Sequence, residues 1–237
     1  MEIKVFADAD VVAREAAALI AAEARAAIAA RGRFVVAFSG GKSPWAMLRE
    51  LAREDLPWQA VYVAQIDERV APDGHPDRNM THLQESLLDH VKLKPEQVLA
   101  MPVESSDLQA AAAEYAIELE RVCGAPPVLD LAHLGLGPDG HTASLVPDDP
   151  VLGVTDRDVA ISGPYQGRQR MTLTYPMLNR ARRVLWLLTG GDKKSMVARL
   201  LAGDPTIPAG RVASEPALVF ADKAASDGSG VGWDKTA

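Results

Sequence analysis

Residues 133–147 read HLGLGPDGHTASLVP, and they follow an apolar run at 128–132. The apolar run predicts a buried strand, and the three glycines and two prolines after it predict a compact loop. His141 is expected to project from that loop, directly after the turn-like sequence Pro-Asp-Gly at 138–140. Asp139 is close enough in the chain to orient the imidazole. The loop is therefore a candidate for chemistry by His141, and the alternative is a glycine-rich connection with an incidental histidine.

A second glycine-rich loop follows the apolar run RFVVAF at 33–38. The loop comprises Ser39, Gly40, Gly41, Lys42 and Ser43. A helical pattern follows, with Pro44 in its first turn, and such a strand, loop and helix N-terminus together offer backbone N–H groups to an anion such as phosphate. The string GGKS does not complete a nucleotide-binding P-loop, because that pattern needs a glycine where Val36 stands. A tight turn without a ligand is the alternative.

A third apolar run, at 60–66, ends in Asp67, Glu68 and Arg69. Charged residues at this position lie where open α/β sheets hold their ligands, outside the carboxyl ends of the strands. The alternative is a cluster of charges that only contacts solvent. Asn79 is a candidate cap for the helix that follows.

The loop between this cluster and the next helix contains His75 and is long enough to cover a site. Farther along, the segment beginning at Arg170 alternates as a strand does, and Lys193 and Lys194 open a helix after the apolar run at 183–189. Two solvated lysines are the alternative at that helix.

Strands alternate with helices along the chain, which predicts an α/β fold with a doubly wound, mostly parallel sheet flanked by helices, of Rossmann-like type. We expect one domain over residues 1–237, with 222–237 forming a loose C-terminal tail that is rich in Ser, Gly and Asp. Because such a sheet gathers its strand-end loops in one crevice, the loops described above are expected to form a single site.

Composition excludes several classes of function. The formal net charge of −7 and pI near 5.3 oppose a nucleic-acid-binding surface. The single cysteine rules out an internal disulfide and a multi-cysteine metal site and favours a reducing, cytoplasmic location. No apolar run approaches the ~18 residues of a membrane span, and the N-terminus lacks signal-peptide character.

The expected site combines an imidazole, carboxylates, an arginine and an anion cradle. An imidazole with a pKa of ~6.5 can take a proton from water near neutral pH, and an arginine can stabilise an oxyanion. Neither the H-x-x-x-H spacing of a metal site nor the G-x-S-x-G of a serine hydrolase occurs, so we expect no metal. This set suits hydrolysis of a small phosphorylated ester or an aldose–ketose proton shift.

Four segments resemble, in order, the motifs of the 6-phosphogluconolactonase family: SGG at 39–41, DER at 67–69, LGPDGHTASLVP at 136–147 and RMTLT at 170–174. That family is similar in fold to the glucosamine-6-phosphate isomerases. The isomerases continue after the histidine toward Ile-Ala-Phe-Asn-Glu-Pro, where the Glu takes part in ring opening. Residues 142–147 read TASLVP here, without that Glu, which favours the lactonase.

The resemblance implies hydrolysis of 6-phospho-D-glucono-1,5-lactone to 6-phosphogluconate in the oxidative pentose phosphate pathway, without a cofactor. His141 would deprotonate the attacking water and return the proton to the ring oxygen, with Asp139 orienting the imidazole. Arg69 would stabilise the oxyanion, and Asp67 would hold substrate hydroxyls or the water.

The phosphate is expected on the cradle of Gly40, Gly41, Lys42 and Ser43, which Ser39 opens. Arg170 and Lys193 are its expected side-chain partners, chosen over Arg168 and Lys194 by spacing alone. Lys42 replaces the small hydroxyl residue usual in the family, which leaves its own role open.

Two other functions remain open on the sequence. One is a glucosamine-6-phosphate isomerase or deaminase, and the other is a non-catalytic sugar-phosphate-binding regulator that would keep the cradle but tolerate loss of His141. We expect a monomer or small homo-oligomer that acts on a small molecule, with no nucleic-acid or membrane partner.

Overall fold

The computed structural model of the chain describes residues 1–213, 215 and 217–226. Its strands are β1 (Glu2–Phe6), β2 (Phe34–Phe38), β3 (Val61–Gln65), β4 (Asp67–Arg69), β5 (Val98–Leu99), β6 (Leu131–Leu134), β7 (Val159–Tyr165), β8 (Arg168–Leu173), β9 (Val184–Leu188) and β10 (Ala217–Asp222). Its α-helices are α1 (Ala9–Arg31), α2 (Lys42–Leu51), α3 (Asn79–Ser86), α4 (Leu108–Cys123), α5 (Tyr175–Asn179) and α6 (Lys194–Leu201).

Seven strands form one parallel sheet in the order β1-β10-β9-β6-β2-β3-β5. The predicted mostly parallel sheet is therefore confirmed. From β2 the chain continues outward to β3, whereas from β6 it continues in the opposite direction to β9. The loops after β2 and β6 therefore flank the point at which the strand order reverses, where open α/β sheets bind ligands.

The sheet is buried on both faces, as alternate residues of its central strand show. Phe34, Val36 and Phe38 pack into a core shared with α1 and α2. Val35 and Ala37 point the other way, into a core shared with α4 and α6. Each strand residue thus contacts a helical layer on one side or the other, which explains why the strands are continuous apolar runs rather than alternating ones.

Helix α1 covers one face of the sheet along its full length. The Asp8 carboxylate accepts from the Val11 N–H at 2.9 Å at its start, and Gly32 ends it with a φ of 75°. Its buried positions are mostly alanine, so the helix backbone lies close to the sheet. Asp8 and Gly32 are residue types that commonly cap the start and the end of a helix.

A second, three-stranded antiparallel sheet in the order β4-β8-β7 lies beside the main one, and sequence analysis did not predict it. The charged segment Asp67–Arg69 forms β4 and pairs with β8, so that Arg69 lies opposite Arg170. The β7–β8 hairpin turns through Gln166 and Gly167, whose φ values of 53° and 77° suit a two-residue hairpin loop. This sheet positions three of the predicted site residues.

The fold continues past the expected start of the C-terminal tail. Asp222 is the last residue of β10, and Ala225 and Ser226 are buried. The prediction of a loose tail is therefore wrong for Asp222, which pairs with Phe6 of β1, and for the buried Ala225 and Ser226, whereas Lys223 and Ala224 are exposed. The rest of the predicted tail, 227–237, lies outside the described residues.

Candidate active site

A cavity of about 440 Å³ opens at the carboxyl edge of the main sheet, among the loops after β2, β4, β6 and β9. All the predicted site residues except Asp139 line this cleft: Ser39, Gly40, Gly41, Lys42, Ser43, Asp67, Arg69, His141, Arg170 and Lys193. Arg168 and Lys194, the alternatives considered on spacing, do not line it. The parallel sheet thus brings together segments that are far apart in the sequence.

Two glycines shape the loop that carries His141. A Cβ on Gly137 would lie 2.0 Å from His141 Nδ1, so the imidazole packs directly against this backbone. Gly140 has a φ of 83°, and a Cβ there would lie 2.6 Å from Ile207 Cβ. The loop folds back on itself through the Gly137 N–H, which donates to the His141 carbonyl at 2.8 Å. Glycine at both positions is therefore a packing requirement.

Asp139 lies behind His141 and determines which ring nitrogen carries the proton. Burial raises the pKa of Asp139, but hydrogen bonds from His141 and Tyr165 outweigh it and hold the pKa below its usual value. The carboxylate is therefore ionised and can only accept hydrogen bonds. Because Asp139 Oδ1 is 2.6 Å from His141 Nδ1, that nitrogen carries the proton and Nε2 of a neutral imidazole is unprotonated. Among the described residues, Nε2 has no hydrogen-bond partner.

A second carboxylate, that of Asp67, is held rigidly at the opposite wall. Its Oδ2 accepts from Ser144 Oγ at 2.7 Å and its Oδ1 from Asn79 Nδ2 at 3.3 Å. Asp67 is only 4% exposed, and Ser144 belongs to the loop that carries His141. The two catalytic candidates are thus connected through that loop, and Asp67 has a fixed orientation toward the cleft.

Asn79 is a site residue that sequence analysis assigned wrongly. It does not cap α3, because it is the first residue of that helix and its side chain points back to the cleft. Its Oδ1 accepts from Arg69 at 2.9 Å while its Nδ2 donates to the Asp67 carbonyl at 2.9 Å. A Cβ on Gly40 would lie 1.8 Å from Asn79 Oδ1. Asn79 therefore joins Asp67 and Arg69 to the glycine-rich loop.

Glu68, fully buried, replaces Asn79 as the cap of α3. Its carboxylate accepts from the Asn79 and Met80 N–H groups, both at 2.8 Å, and forms an ion pair with Arg78 at 3.2 Å. Of the two acids that follow β3, Glu68 therefore supports the fold while Asp67 faces the cleft.

Two guanidinium groups, those of Arg69 and Arg170, make the cleft wall cationic. Arg170 is 3% exposed, and burial, followed by the charge of Arg69, lowers its pKa. Within the described part of the chain, neither the Nε of Arg69 nor that of Arg170 has a hydrogen-bond partner. Two adjacent cations with unused donors favour an anionic ligand, because each donor gains a partner and the repulsion is relieved.

The loop after β2 presents its backbone to the same cleft. Helix α2 begins after Gly41, which has a φ of 130° and no side chain to cap the first N–H groups. Ser43 Oγ is 2.6 Å from Thr189 Oγ1, which ties the loop to the end of β9. The Lys42 side chain is exposed at the rim, whereas that of Lys193 is 25% exposed. This arrangement is the helix N-terminus geometry that binds phosphate groups.

Arg168 binds the loop that sequence analysis expected to cover the site. Its Nε donates to Asp77 at 3.0 Å, and its other nitrogen is 3.2 Å from His75 Nε2. Arg69 also donates to the Asp77 carbonyl, at 2.9 Å. These contacts fasten the loop to the β7–β8 hairpin at the border of the cleft.

Two classes of feature are absent from the described residues. They hold no group of three or more His, Cys, Asp or Glu side chains placed to bind a metal ion together. None of the described helices combines the length and apolar character that a bilayer span requires.

Comparison with known proteins gives one consistent family. A family model described as "Glucosamine-6-phosphate isomerases/6-phosphogluconolactonase" matches residues 7–220. The 6-phosphogluconolactonase of Streptomyces coelicolor is 37% identical over 223 residues, covering 88% of this chain and 85% of that protein. The 6-phosphogluconolactonase of a Synechocystis strain is 38% identical over 171 residues, covering 70% of this chain and 71% of that protein.

A solved structure agrees with these sequence relatives. The crystal structure of a 6-phosphogluconolactonase from Thermotoga maritima superposes with a TM-score of 0.84 at 26% identity. It covers 93% of this chain and 98% of that chain.

Proposed function

The chain belongs to the glucosamine-6-phosphate isomerase/6-phosphogluconolactonase family, and on that premise we propose that it hydrolyses 6-phospho-D-glucono-1,5-lactone to 6-phosphogluconate. Bacterial relatives at 33–38% identity that cover 70–94% of this chain carry the lactonase name, which supports this branch of the family. The reaction uses water and needs no cofactor.

One observation carries the proposal: an imidazole oriented by a carboxylate and an anion cradle line the same cleft. His141 offers Nε2 as a base because Asp139 holds its Nδ1 proton. The segment after His141 supplies Ser144 to Asp67 and contains no glutamate that could open a sugar ring. A base for water with no second proton-transfer acid on that segment suits hydrolysis better than isomerisation.

Binding begins with the substrate phosphate. It would lie on the N–H groups of Gly41, Lys42 and Ser43, with Arg170 and Lys193 neutralising its charge. Ser39 and Gly40 form the adjoining wall, where a larger residue at position 40 would collide with Asn79. The Gly40 backbone therefore lies directly against the Asn79 side chain.

In the chemical step, His141 removes a proton from water as the oxygen attacks the lactone carbonyl carbon. Arg69 stabilises the negative charge that develops on the carbonyl oxygen, and Asp67 accepts from substrate hydroxyls or from the water. When the bond between the carbonyl carbon and the ring oxygen breaks, His141 returns the proton to that oxygen. The product carboxylic acid then ionises.

We propose that one copy of the chain is sufficient for this reaction. We propose that it takes place in the cytoplasm. The lone thiol of Cys123 is consistent with this location, since burial raises its pKa to about 12 and keeps it protonated.

The test is the rate of 6-phosphogluconate formation from freshly generated 6-phosphogluconolactone, coupled to 6-phosphogluconate dehydrogenase and corrected for spontaneous hydrolysis. We expect a rate proportional to enzyme concentration. A rate equal to the spontaneous one contradicts the proposal. Release of ammonia from glucosamine 6-phosphate would then indicate the isomerase branch, and binding without turnover of either compound would indicate a regulator.

A further inference from the structure

The Tyr165 side chain contacts Asp139, His141 and Arg170. It is the last residue of β7 and lies at the tip of the β7–β8 hairpin. Like Asp139, it is not among the residues that line the cleft. No motif in the sequence marks it as a site residue.

The hydroxyl of Tyr165 completes the support of the base. It donates to Asp139 Oδ2 at 3.0 Å, while Asp139 Oδ1 is engaged by His141. Both carboxylate oxygens are therefore held, which prevents rotation of a side chain that is 34% exposed to water. The Tyr165 and His141 rings also meet edge to face, with centroids 5.0 Å apart. The hydroxyl thus fixes the carboxylate, and the ring limits movement of the imidazole.

The ring of Tyr165 supports the other end of the cleft. The Arg170 guanidinium lies over it, 4.9 Å from its centroid. Arg170 also donates to the Tyr165 carbonyl and to Gln166 Oε1, both at 3.3 Å. The orientation of this cation therefore depends on the same residue as the orientation of Asp139.

The backbone around Tyr165 is well fixed. The β7–β8 register shifts between Ser162 and Tyr165, an irregularity that redirects the side chains of a strand. Within this segment, the Gly163 N–H donates to the Asp149 carboxylate at 2.8 Å. On the other side of the turn, Arg168 forms an ion pair with Asp77. The hairpin tip is thus anchored on both sides.

We propose that Tyr165 is a positioning residue that orients His141 through its hydroxyl and Arg170 through its ring, and so sets the distance between the base and the bound phosphate. The assignment of roles to these two residues rests on the proposed function. The two contacts use different parts of one side chain, so substitutions can separate them.

The test compares Tyr165→Phe, Tyr165→Leu and the control Tyr175→Phe, whose hydroxyl donates to the Pro208 carbonyl at 2.9 Å away from the cleft. Removing a hydrogen bond to a charged group in Tyr165→Phe should lower kcat about 10-fold and leave KM within about twofold. Tyr165→Leu should also raise KM about fivefold, because the cation–π contact is lost. Tyr175→Phe should match the wild type in both constants.

Two readouts do not depend on lactonase activity. The ¹⁵N signals of the His141 imidazole should change in Tyr165→Phe and not in Tyr175→Phe, and inorganic phosphate should bind about fivefold more weakly to Tyr165→Leu only. If the wild type has no lactonase activity, these readouts still test Tyr165 on their own.

Three results would overturn the inference. The first is a wild-type kcat together with wild-type imidazole signals in Tyr165→Phe. The second is an unchanged KM and phosphate affinity in Tyr165→Leu. The third is an equal decrease in kcat in Tyr165→Phe, Tyr165→Leu and Tyr175→Phe. A thermal unfolding curve for each variant identifies a general loss of folding. If a variant is partly unfolded, the His141 imidazole signals of its folded fraction are compared with those of the wild type.

Discussion

The buried end of β6 and the loop that follows it each carry one histidine, in opposite environments. His133 lies inside the sheet, paired in register with Phe38 and Leu185, and is 0% exposed. Neither of its ring nitrogens has a hydrogen-bond partner among the described residues, and burial lowers its pKa to about 3. His141 lies in the cleft with Asp139 on its Nδ1 and its Nε2 accessible to a ligand.

A histidine becomes a candidate base through its hydrogen-bond partners and its accessibility to a ligand, rather than through residue type alone. His133 is buried away from the cleft, so no substrate reaches it. The Nδ1–H of His141 donates to an ionised carboxylate, which leaves Nε2 as the accepting nitrogen when the ring is neutral. The same short segment therefore contains one buried histidine and one candidate base.

The largest expected effect comes from removing each imidazole in turn. His141→Ala should lower kcat by about two to four decades, in line with general-base contributions. His133→Leu should leave kcat within about twofold, because that ring contacts no substrate. The coupled lactonase assay measures both. Wild-type turnover in His141→Ala would show that His141 is not the base. A comparable decrease in kcat in a folded His133→Leu variant would show that the buried histidine also matters for turnover.

The second prediction disturbs the position of His141 without deleting it. The Cβ introduced by Gly137→Ala would lie 2.0 Å from Nδ1 and 2.8 Å from Asp139 Oδ1, so the imidazole must move. A displacement of this kind should lower kcat about 100-fold. Gly153→Ala is the control, since a Cβ there meets no heavy atom within 4 Å and lies outside the cleft. Equal kcat values for the two variants would show that the loop tolerates the methyl group.

The third prediction concerns His133 and acid stability. Its folded-state pKa of about 3 lies below the unfolded value of ~6.5, so the unfolded chain binds the proton more strongly. Stability is therefore full above pH ~6.5 and falls as the pH decreases toward 3, with a loss of about 2 kcal/mol at pH 5 from this residue.

Urea unfolding of the wild type and of His133→Leu at pH 7.5 and pH 5.0 measures this difference. The variant should lose about 2 kcal/mol less than the wild type between the two pH values, because leucine does not titrate. The same loss in both proteins would mean that His133 does not resist protonation in the folded state.

Sequence analysis predicted the main sheet well, because its signal is local. Apolar runs such as 33–38 mark strands buried on both faces. It did not predict the small sheet, since the charged segment Asp67–Arg69 has no strand-like apolar pattern. Its pairing with β8 depends on a distant partner.

The expected site was predicted from motifs at strand ends, and these motifs lie close together because the strands of the sheet are parallel. The sequence could not identify the residues that support the motif residues from other segments. Asn79 was expected to cap a helix, but the Glu68 carboxylate takes the N–H groups that a cap would bind. Tyr165 carries no local signal at all, because its partners Asp139 and Arg170 come from other segments.

By itself, the amino-acid sequence determined the order of strands and helices, the glycine-rich loops at their junctions and the identity of the candidate base. These features depend on local patterns of apolar residues and on backbone conformations that only certain residues adopt. The tertiary structure alone decided that Arg170 rather than Arg168 faces the cleft, that Asn79 joins Asp67 to Arg69, and that Tyr165 supports both Asp139 and Arg170. Those outcomes depend on distances between segments far apart in the chain, and such distances are fixed only when the sheet, its helices and the β7–β8 hairpin pack together.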